Sequence, residues 1–422
     1  MIMKFKKIIT CDKLDEKKFV AVMMFFSTLV LFKVGNITWF ILLQFIYCLY
    51  SFYKYRKITF SDTPLINFIY LELILSILVG MIWNLQVSYK KSALFMGLMS
   101  MMTYVVFIYM NQLIKKDSET VVYIKKAFRW MVLIQLIWIP LQYVIYKMSG
   151  VDINNVIFVD LLHFTNDASF VRAWTWYPAG CCHHPAVIAP MLVIAFCLFE
   201  PLPMKLLVIF DSLICGSSTA FVGVLVAAVL TIFCEFVING KRLENKKKII
   251  FIIVLFFLIF ILMFQSDIFD LVNERVVYLF TRLTGLSTDD STSAHFQYYL
   301  DYIDIFKKSN VFQILFGCGE GCSGMWASLI YGRYAELGNW SIECDIVNIL
   351  VNRGIVGFIL FYSLLISIII KGWKFNKYYS IVVFAIVVQG LGYNVQWDYI
   401  ILIELLFYLC IKYKIDFFDK KI

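Results

Sequence analysis

Long apolar blocks separated by short polar punctuation dominate the chain. A helix needs ~20 mostly apolar residues to cross the hydrocarbon core of a bilayer, and the pattern supplies many such runs. It predicts spans at 19–34, 37–53, 64–83, 92–114 and 127–147, and later at 249–265, 346–370, 378–395 and 399–413. Between 185 and 238 one helix rising about 1.5 Å per residue cannot absorb the chain. Three crossings are placed there, at 185–200, 204–216 and 217–238, the middle one short and half-buried or re-entrant. Two intervals interrupt the pattern, 148–184 and 266–345. The expected fold class is therefore an all-α polytopic integral membrane protein. It has about 12 transmembrane helices, two large extracytoplasmic loops, and both termini cytoplasmic. Residues 1–422 form one membrane domain with tails 1–18 and 414–422, without a soluble module, an internal repeat or a low-complexity linker.

Composition agrees: 61% hydrophobic, 18% aromatic and only 16% charged residues is far from a soluble domain. The net charge of +9 would fit a nucleic-acid binder, but its placement points elsewhere. Lys4, Lys6, Lys7, Lys13, Lys17 and Lys18 open the chain, and basic clusters recur around Lys54, Lys115, Lys125, Lys246, Lys371 and Lys412. All fall on one face when the chain crosses an even number of times between them, as the positive-inside rule requires. The basic surplus marks the cytoplasmic side, and no nucleic-acid partner is expected. Phe19 onward reads as a retained first helix, because no small-residue cleavage site follows it.

Candidate chemistry collects in the two interrupting loops. The first ends Arg172-Ala-Trp-Thr-Trp-Tyr-Pro-Ala-Gly-Cys-Cys-His183-His184-Pro185, immediately before a helix. An arginine among aromatics there suits an anionic group at the membrane surface. An interfacial aromatic belt of Trp174, Trp176 and Tyr177 accounts for the same residues structurally. In the second loop Arg275 and Arg282 lie seven apart, on one face if helical. His295 follows, a group able to titrate near neutral pH or simply a solvated loop residue. The glycines of 317–324 look like tight turns at a cavity mouth, since a dinucleotide loop would need a preceding strand. Glu343 and Asp345 then stand before the returning helix, with Asn348 on its first turn and Arg353 deeper in. Asp345 serves either as an ordinary cap or in substrate binding; Glu343 is the sharper candidate for a general base. Asp211, Glu72 and Glu404 sit inside apolar spans, where a carboxylate faces the protein interior or a wet cavity. Cys181, Cys182, Cys318, Cys322 and Cys344 fall on the outer face; one disulfide between the two loops is conceivable, and their spacing is not that of a zinc site.

Taken in order, several of these features resemble bacterial O-antigen and exopolysaccharide polymerases of the Wzy type, which share a fold with O-antigen ligases. They are Arg172 with His184-Pro185, the turn Gly216-Ser217-Ser218, Leu315-Phe316-Gly317-Cys318-Gly319, and Glu343-x-Asp345 leading to Leu350 and Gly354-Ile355-Val356-Gly357. They cover the last two-thirds of the chain; the first 147 residues match only as hydrophobic spans. The resemblance implies a glycosyltransferase of the bacterial plasma membrane, independent of metal or other cofactor, working on the extracytoplasmic face. Its partners would be undecaprenyl-pyrophosphate-linked glycans as donor and acceptor and the membrane lipids, leaving room for a flippase and a chain-length regulator. Arg172, Arg275 and Arg282 would hold the pyrophosphate, with His184, His295, Asp345 and Asn348 in the substrate site and Glu343 as base. Ligases carry a histidine near the place of Glu343, which favours polymerase here. Two departures are the absence of an arginine where this chain has His295, and Ser217-Ser218 in place of a Ser-Arg pair.

That chemistry suits the residues. A pyrophosphate ester is already activated, so the protein must offset charge on the leaving group and deprotonate the acceptor. Trp174, Trp176, Trp326 and Trp340 could stack on sugar faces or anchor the belt. The near alternative is a ligase, which would transfer the glycan to a non-carrier acceptor. The alternative from another class is a transporter of lipid-linked glycan, which would spread ionisable residues along a midplane path.

Overall fold

The structure is a computed structural model that describes residues 15–35, 37–56, 61–84, 87–172, 175–182, 184–235, 299–300, 302–323 and 342–418. Helices dominate. In chain order they are α1 (Glu16–Phe25), α2 (Trp39–Tyr55), α3 (Pro64–Trp83), α4 (Val87–Lys116) and α5 (Glu119–Ser149), then α6 (Pro185–Leu198), α7 (Leu202–Ile214) and α8 (Ser218–Phe233). A short α9 (Val311–Phe316) precedes α10 (Asp345–Phe375), α11 (Lys377–Gly392) and α12 (Asp398–Tyr413). Among the described residues four helical stretches are long and apolar enough to cross a membrane: Pro64–Trp83, Tyr89–Lys116, Glu119–Ser149 and Asp345–Phe375. Their outward faces are apolar too. On α5 the exposed side chains Trp130, Ile134, Ile137, Leu141 and Val144 follow one another at intervals of three and four. That spacing draws a single stripe along the helix, on the side that a water-facing helix would make polar. The chain reads as a helical membrane protein.

The bundle is built from two groups. α6, α8 and α11 pack together, joined where Gln389 donates to the carbonyls of Ala189 and Thr219, both at 3.1 Å. α10 packs on α3, α9, α11 and α12, and α4 packs on α2, α3 and α12. At one end, ion pairs join Lys17 to Asp117, Lys54 to Glu16, and Lys412 to Asp62 at 2.6 Å. Helix ends and starts distant in sequence therefore gather in one polar layer.

The first expected span, 19–34, takes a different form. α1 stops at Phe25 after ten residues, roughly 15 Å of rise, too short to cross the hydrocarbon core. The chain then folds into an irregular stretch whose backbone is held from outside: Gln135 donates to Thr28 O at 2.9 Å and Leu31 N–H donates to Cys181 O at 3.1 Å. Strands β1 (Lys33–Val34) and β2 (Ile37–Thr38) close it as a hairpin around Gly35, and Phe26, Phe32 and Trp39 lock together ring against ring. Aromatic packing outweighs helix continuation there.

Residues 148–184 carry a π-helical turn (Asn155–Leu161) and a hairpin of β3 (Phe170–Arg172) and β4 (Thr175–Tyr177), with Arg172 opposite Thr175. Asp152 anchors it, accepting from Ser169 Oγ and Trp176 Nε1, each at 2.7 Å. Trp176 is thereby buried and stacked on Tyr146, so it offers no face to a sugar. Cys181, Cys182, Cys318, Cys322 and Cys344 are buried free thiols, not a disulfide between loops. Span 249–265 lies outside the described residues.

Candidate functional site: a broken helix and the segments around it

Helix α10 is interrupted at Gly354, whose φ of 67° and ψ of −172° leave the helical region. Such angles belong almost exclusively to glycine, which has no Cβ to clash. The break frees carbonyls that an unbroken helix would satisfy, and in an apolar interior these need other donors. The turn after α9 supplies them. Cys318 N–H donates to Val351 O at 2.8 Å and Gly319 N–H to Asn352 O at 3.0 Å, while Ser76 Oγ on α3 adds a third bond at 2.9 Å. Gly317, itself at φ 79°, lets the turn come this close; a Cβ there would meet Asn352 O at 2.1 Å. The Asn352 side chain completes the joint by accepting from Cys322 and Ser323 N–H, at 3.2 and 2.8 Å. α9 is set for this by a reciprocal cap between Asn310 and Gln313.

Beside the break lies a cluster of charge. Arg353 donates through Nε to Glu72 Oε2 at 3.1 Å and through Nη2 to the same oxygen, and its Nε stands 3.7 Å from Glu320 Oε1. The side chains of Arg353 and Glu72 are 5% and 2% exposed, that of Glu320 18%. Two carboxylates thus face one guanidinium. Glu320 sits in the turn between α9 and α10; burial raises its carboxyl to about 7, Arg353 opposes the rise, and Glu72 adds to it.

A second group of polar contacts surrounds the connection between α11 and α12. His184 caps α6, its Nδ1 accepting from Ala186 N–H at 3.1 Å, and its Nε2 lies 3.2 Å from Tyr393 Oη. Phe170, two residues before Arg172 on β3, packs edge-on against the same imidazole at 4.4 Å between ring centres. From the other side Asp345 Oδ1 accepts from Val395 and Gln396 N–H, at 2.9 and 3.2 Å. Cys344 and Tyr299 both donate to Leu391 O. The end of the first loop and the start of α10 therefore meet on one short stretch, 391–396, made of the end of α11 and the connection after it. It lies at the head of the broken helix.

The sequence-predicted residues distribute as follows. Glu343 is partly buried, two residues before the start of α10, and Asp345 is buried as its first residue. Asp345 makes no capping bond to its own helix; it ties α10 to the 395–396 backbone instead. Asn348 accepts from Ser323 Oγ at 2.5 Å and from Asn352 Nδ2 at 3.1 Å, which makes it part of the joint holding the turn. The backbone of Arg172 lies in the hairpin beside His184. Arg275, Arg282 and His295 lie outside the described residues, as do His183, Trp174, Trp326 and Trp340. Of the three acids inside apolar helices, Glu72 has the cationic partner; Glu404 accepts from Gln396 at 3.4 Å, and both Asp211 oxygens are buried with no hydrogen-bond partner among the described residues. Glu320 and Asn352 escaped the sequence reading. An arginine inside an apolar helix was the signal that a buried acid must lie nearby, but nothing in the spacing says that Glu320 reaches it through a turn.

No protein-family model matches the chain, and no curated protein matches it.

Proposed function

We propose that the chain is a membrane glycosyltransferase that joins undecaprenyl-pyrophosphate-linked repeat units into a surface polysaccharide, at the extracytoplasmic face of a bacterial plasma membrane. The observation that carries this reading is the meeting of two sequence-distant polar segments, β3 with His184 and Glu343 with Asp345, on the 391–396 stretch. The same chemistry calls on both segments, and it requires them at one end of one bundle.

In this reaction Glu343 takes the proton of the acceptor sugar hydroxyl as its oxygen bonds to the anomeric carbon of the donor. The bond from that carbon to the pyrophosphate oxygen breaks, and the electron pair leaves with the lipid pyrophosphate. Arg172, with Arg275 and Arg282, offsets the growing charge on it. His184 and Asp345 hold the two walls of the site in place. The test is incubation of the purified protein with a synthetic lipid-linked repeat unit, followed by a gel. A ladder that disappears in Glu343→Ala and Arg172→Ala supports the reading; transfer to a non-carrier acceptor instead makes the protein a ligase. Unchanged polymer length and amount in cells carrying both variants rejects the assignment of those two residues.

A second reading, transport of a lipid-linked glycan, draws support from the broken α10 and the buried cluster of Arg353, Glu72 and Glu320. Discontinuous helices with buried charge are features of transporters. Movement of a fluorescent lipid-linked glycan across vesicles, with no change in its length, would favour that reading over polymerisation.

A further inference from the structure

At the end of the bundle away from the broken-helix junction, a cavity of about 520 Å³ opens between the last turns of α10 and α12 and the start of α3. Its charged lining among the described residues is Lys371, Lys374, Lys412 and Lys414 against the single carboxylate of Asp62. That carboxylate is already engaged: Asp62 Oδ1 takes Lys412 Nζ at 2.6 Å and Asn111 Nδ2 at 3.1 Å. Lys371, Lys374 and Lys414 have no carboxylate partner among the described residues. Lys371 instead lies over the Tyr408 ring, 5.2 Å from its centre, which holds the ammonium at the cavity wall. Several cations kept close around a concave space repel one another, and an anion in their midst removes that repulsion.

Two further features select the kind of anion. The cavity has the size of a small-molecule site, well above that of a lone ion. Along α10, beside the lining residue Lys374, runs an apolar strip: Ile366, Ile370 and Trp373 are 52%, 56% and 41% exposed. Ile370 precedes Lys374 by four residues, so the strip and the cation share a helix face. Charge at the helix end and apolar surface running away from it match a headgroup and its acyl chains.

We propose that this cavity binds the phosphate of an anionic phospholipid, with Lys371 and Lys374 as the principal contacts and the acyl chains lying along the Ile366–Trp373 strip. Phosphate oxygens accept from the ammonium groups, and Thr63 Oγ1, 3.4 Å from Lys412 Nζ, lines the same wall. The site is independent of the polymerase reading and lies on the opposite end of α10 from it.

The test uses the full-length protein in neutral detergent micelles, with bound lipid counted by native mass spectrometry. Phosphatidylglycerol, phosphatidylcholine of the same chains and inorganic phosphate are the probes. Saturable binding of phosphatidylglycerol is expected, with phosphatidylcholine binding far weaker. Lys371→Ala with Lys374→Ala should weaken phosphatidylglycerol roughly thirtyfold, while Lys371→Arg with Lys374→Arg keeps it, which separates lost charge from a damaged fold. Equal binding of the two lipids, or an unaffected double alanine variant, overturns the proposal. Inorganic phosphate that saturates the site at the same concentration as the lipid overturns its assignment to a lipid.

Discussion

Arg353 and Glu72, 281 positions apart, meet through one carboxylate oxygen: both Nε and Nη2 of the guanidinium donate to Oε2, and Oε1 has no hydrogen-bond partner among the described residues. The pairing is one-sided, so the guanidinium keeps a flank for Glu320 at 3.7 Å. This pair fastens α3 to the N-terminal part of α10, one residue before the helix breaks. It is the electrostatic counterpart of the backbone joint made by Cys318 and Gly319.

Removing one member of such a pair strands the other charge. Arg353→Ala should lower stability by roughly 3–5 kcal/mol, the cost typical of an uncompensated buried partner. Replacing Arg353 with Met, Glu72 with Leu and Glu320 with Gln together should cost much less than Arg353→Ala alone. Thermal unfolding in detergent would decide this; a triple variant weaker than the single one would mean that the cluster adds more than mutual neutralisation.

Glu320 makes stability depend on pH, and the sign follows from its direction of shift. Its carboxyl titrates near 7 in the folded protein but at about 4.3 as an unperturbed glutamate. Between those values the folded state holds a proton that the unfolded state has lost. Stability therefore falls as pH rises through that window, by up to about 1.4 kcal/mol per pH unit, and is level above it. Glu320→Gln should flatten the decline in melting temperature between pH 5 and pH 7.5 (roughly the span between those two values). A slope that survives this substitution would assign the titration to another group.

The backbone joint gives a sharper prediction. At Gly354 an added Cβ would lie 2.4 Å from the Leu315 carbonyl carbon, and at Gly317 it would lie 2.1 Å from Asn352 O. Both positions also have positive φ, which a side chain tolerates at a cost of about 1–3 kcal/mol before any clash. Gly354→Ala and Gly317→Ala should each reduce the monodisperse fraction on size exclusion severely. At Gly392 an added Cβ meets no atom of the described residues within 4 Å, and Gly392→Ala should not.

What was legible beforehand follows the strength of the local signal. Span 64–83 coincides with α3 because Pro64 starts the helix and 20 residues pass before Asn84 stops it. Span 127–147 was too short at its start, since the lysines of 125–126 mark the end of an apolar run without ending the helix, which begins at Glu119. The first span failed where Gly35 and a knot of aromatic rings outcompeted helix formation, a tertiary effect invisible to periodicity. At the site, Asp345 was visible as an acid before a helix, but its partners Val395 and Gln396 lie 50 and 51 residues on and act through their backbone. Glu320 was hidden for a related reason. Its role comes from a turn packing into a broken helix, and the glycines announced the turn but not its destination.

His184 can be separated into its two roles. Its Nδ1 caps α6 through Ala186 N–H, and its Nε2 side, stacked on Tyr393 with ring centres 5.5 Å apart, belongs to the wall of the proposed site. Asparagine is among the strongest capping residues, so His184→Asn should keep the helix start and change stability by less than about 1 kcal/mol. It removes the imidazole, and a hydrogen bond to a charged group is worth about 1.5–3 kcal/mol. Polymer yield should then fall roughly ten- to hundredfold, while His184→Ala should lose both yield and stability. Normal laddering by His184→Asn, at unchanged melting temperature, would leave the imidazole only its capping role and remove it from the wall of the proposed site.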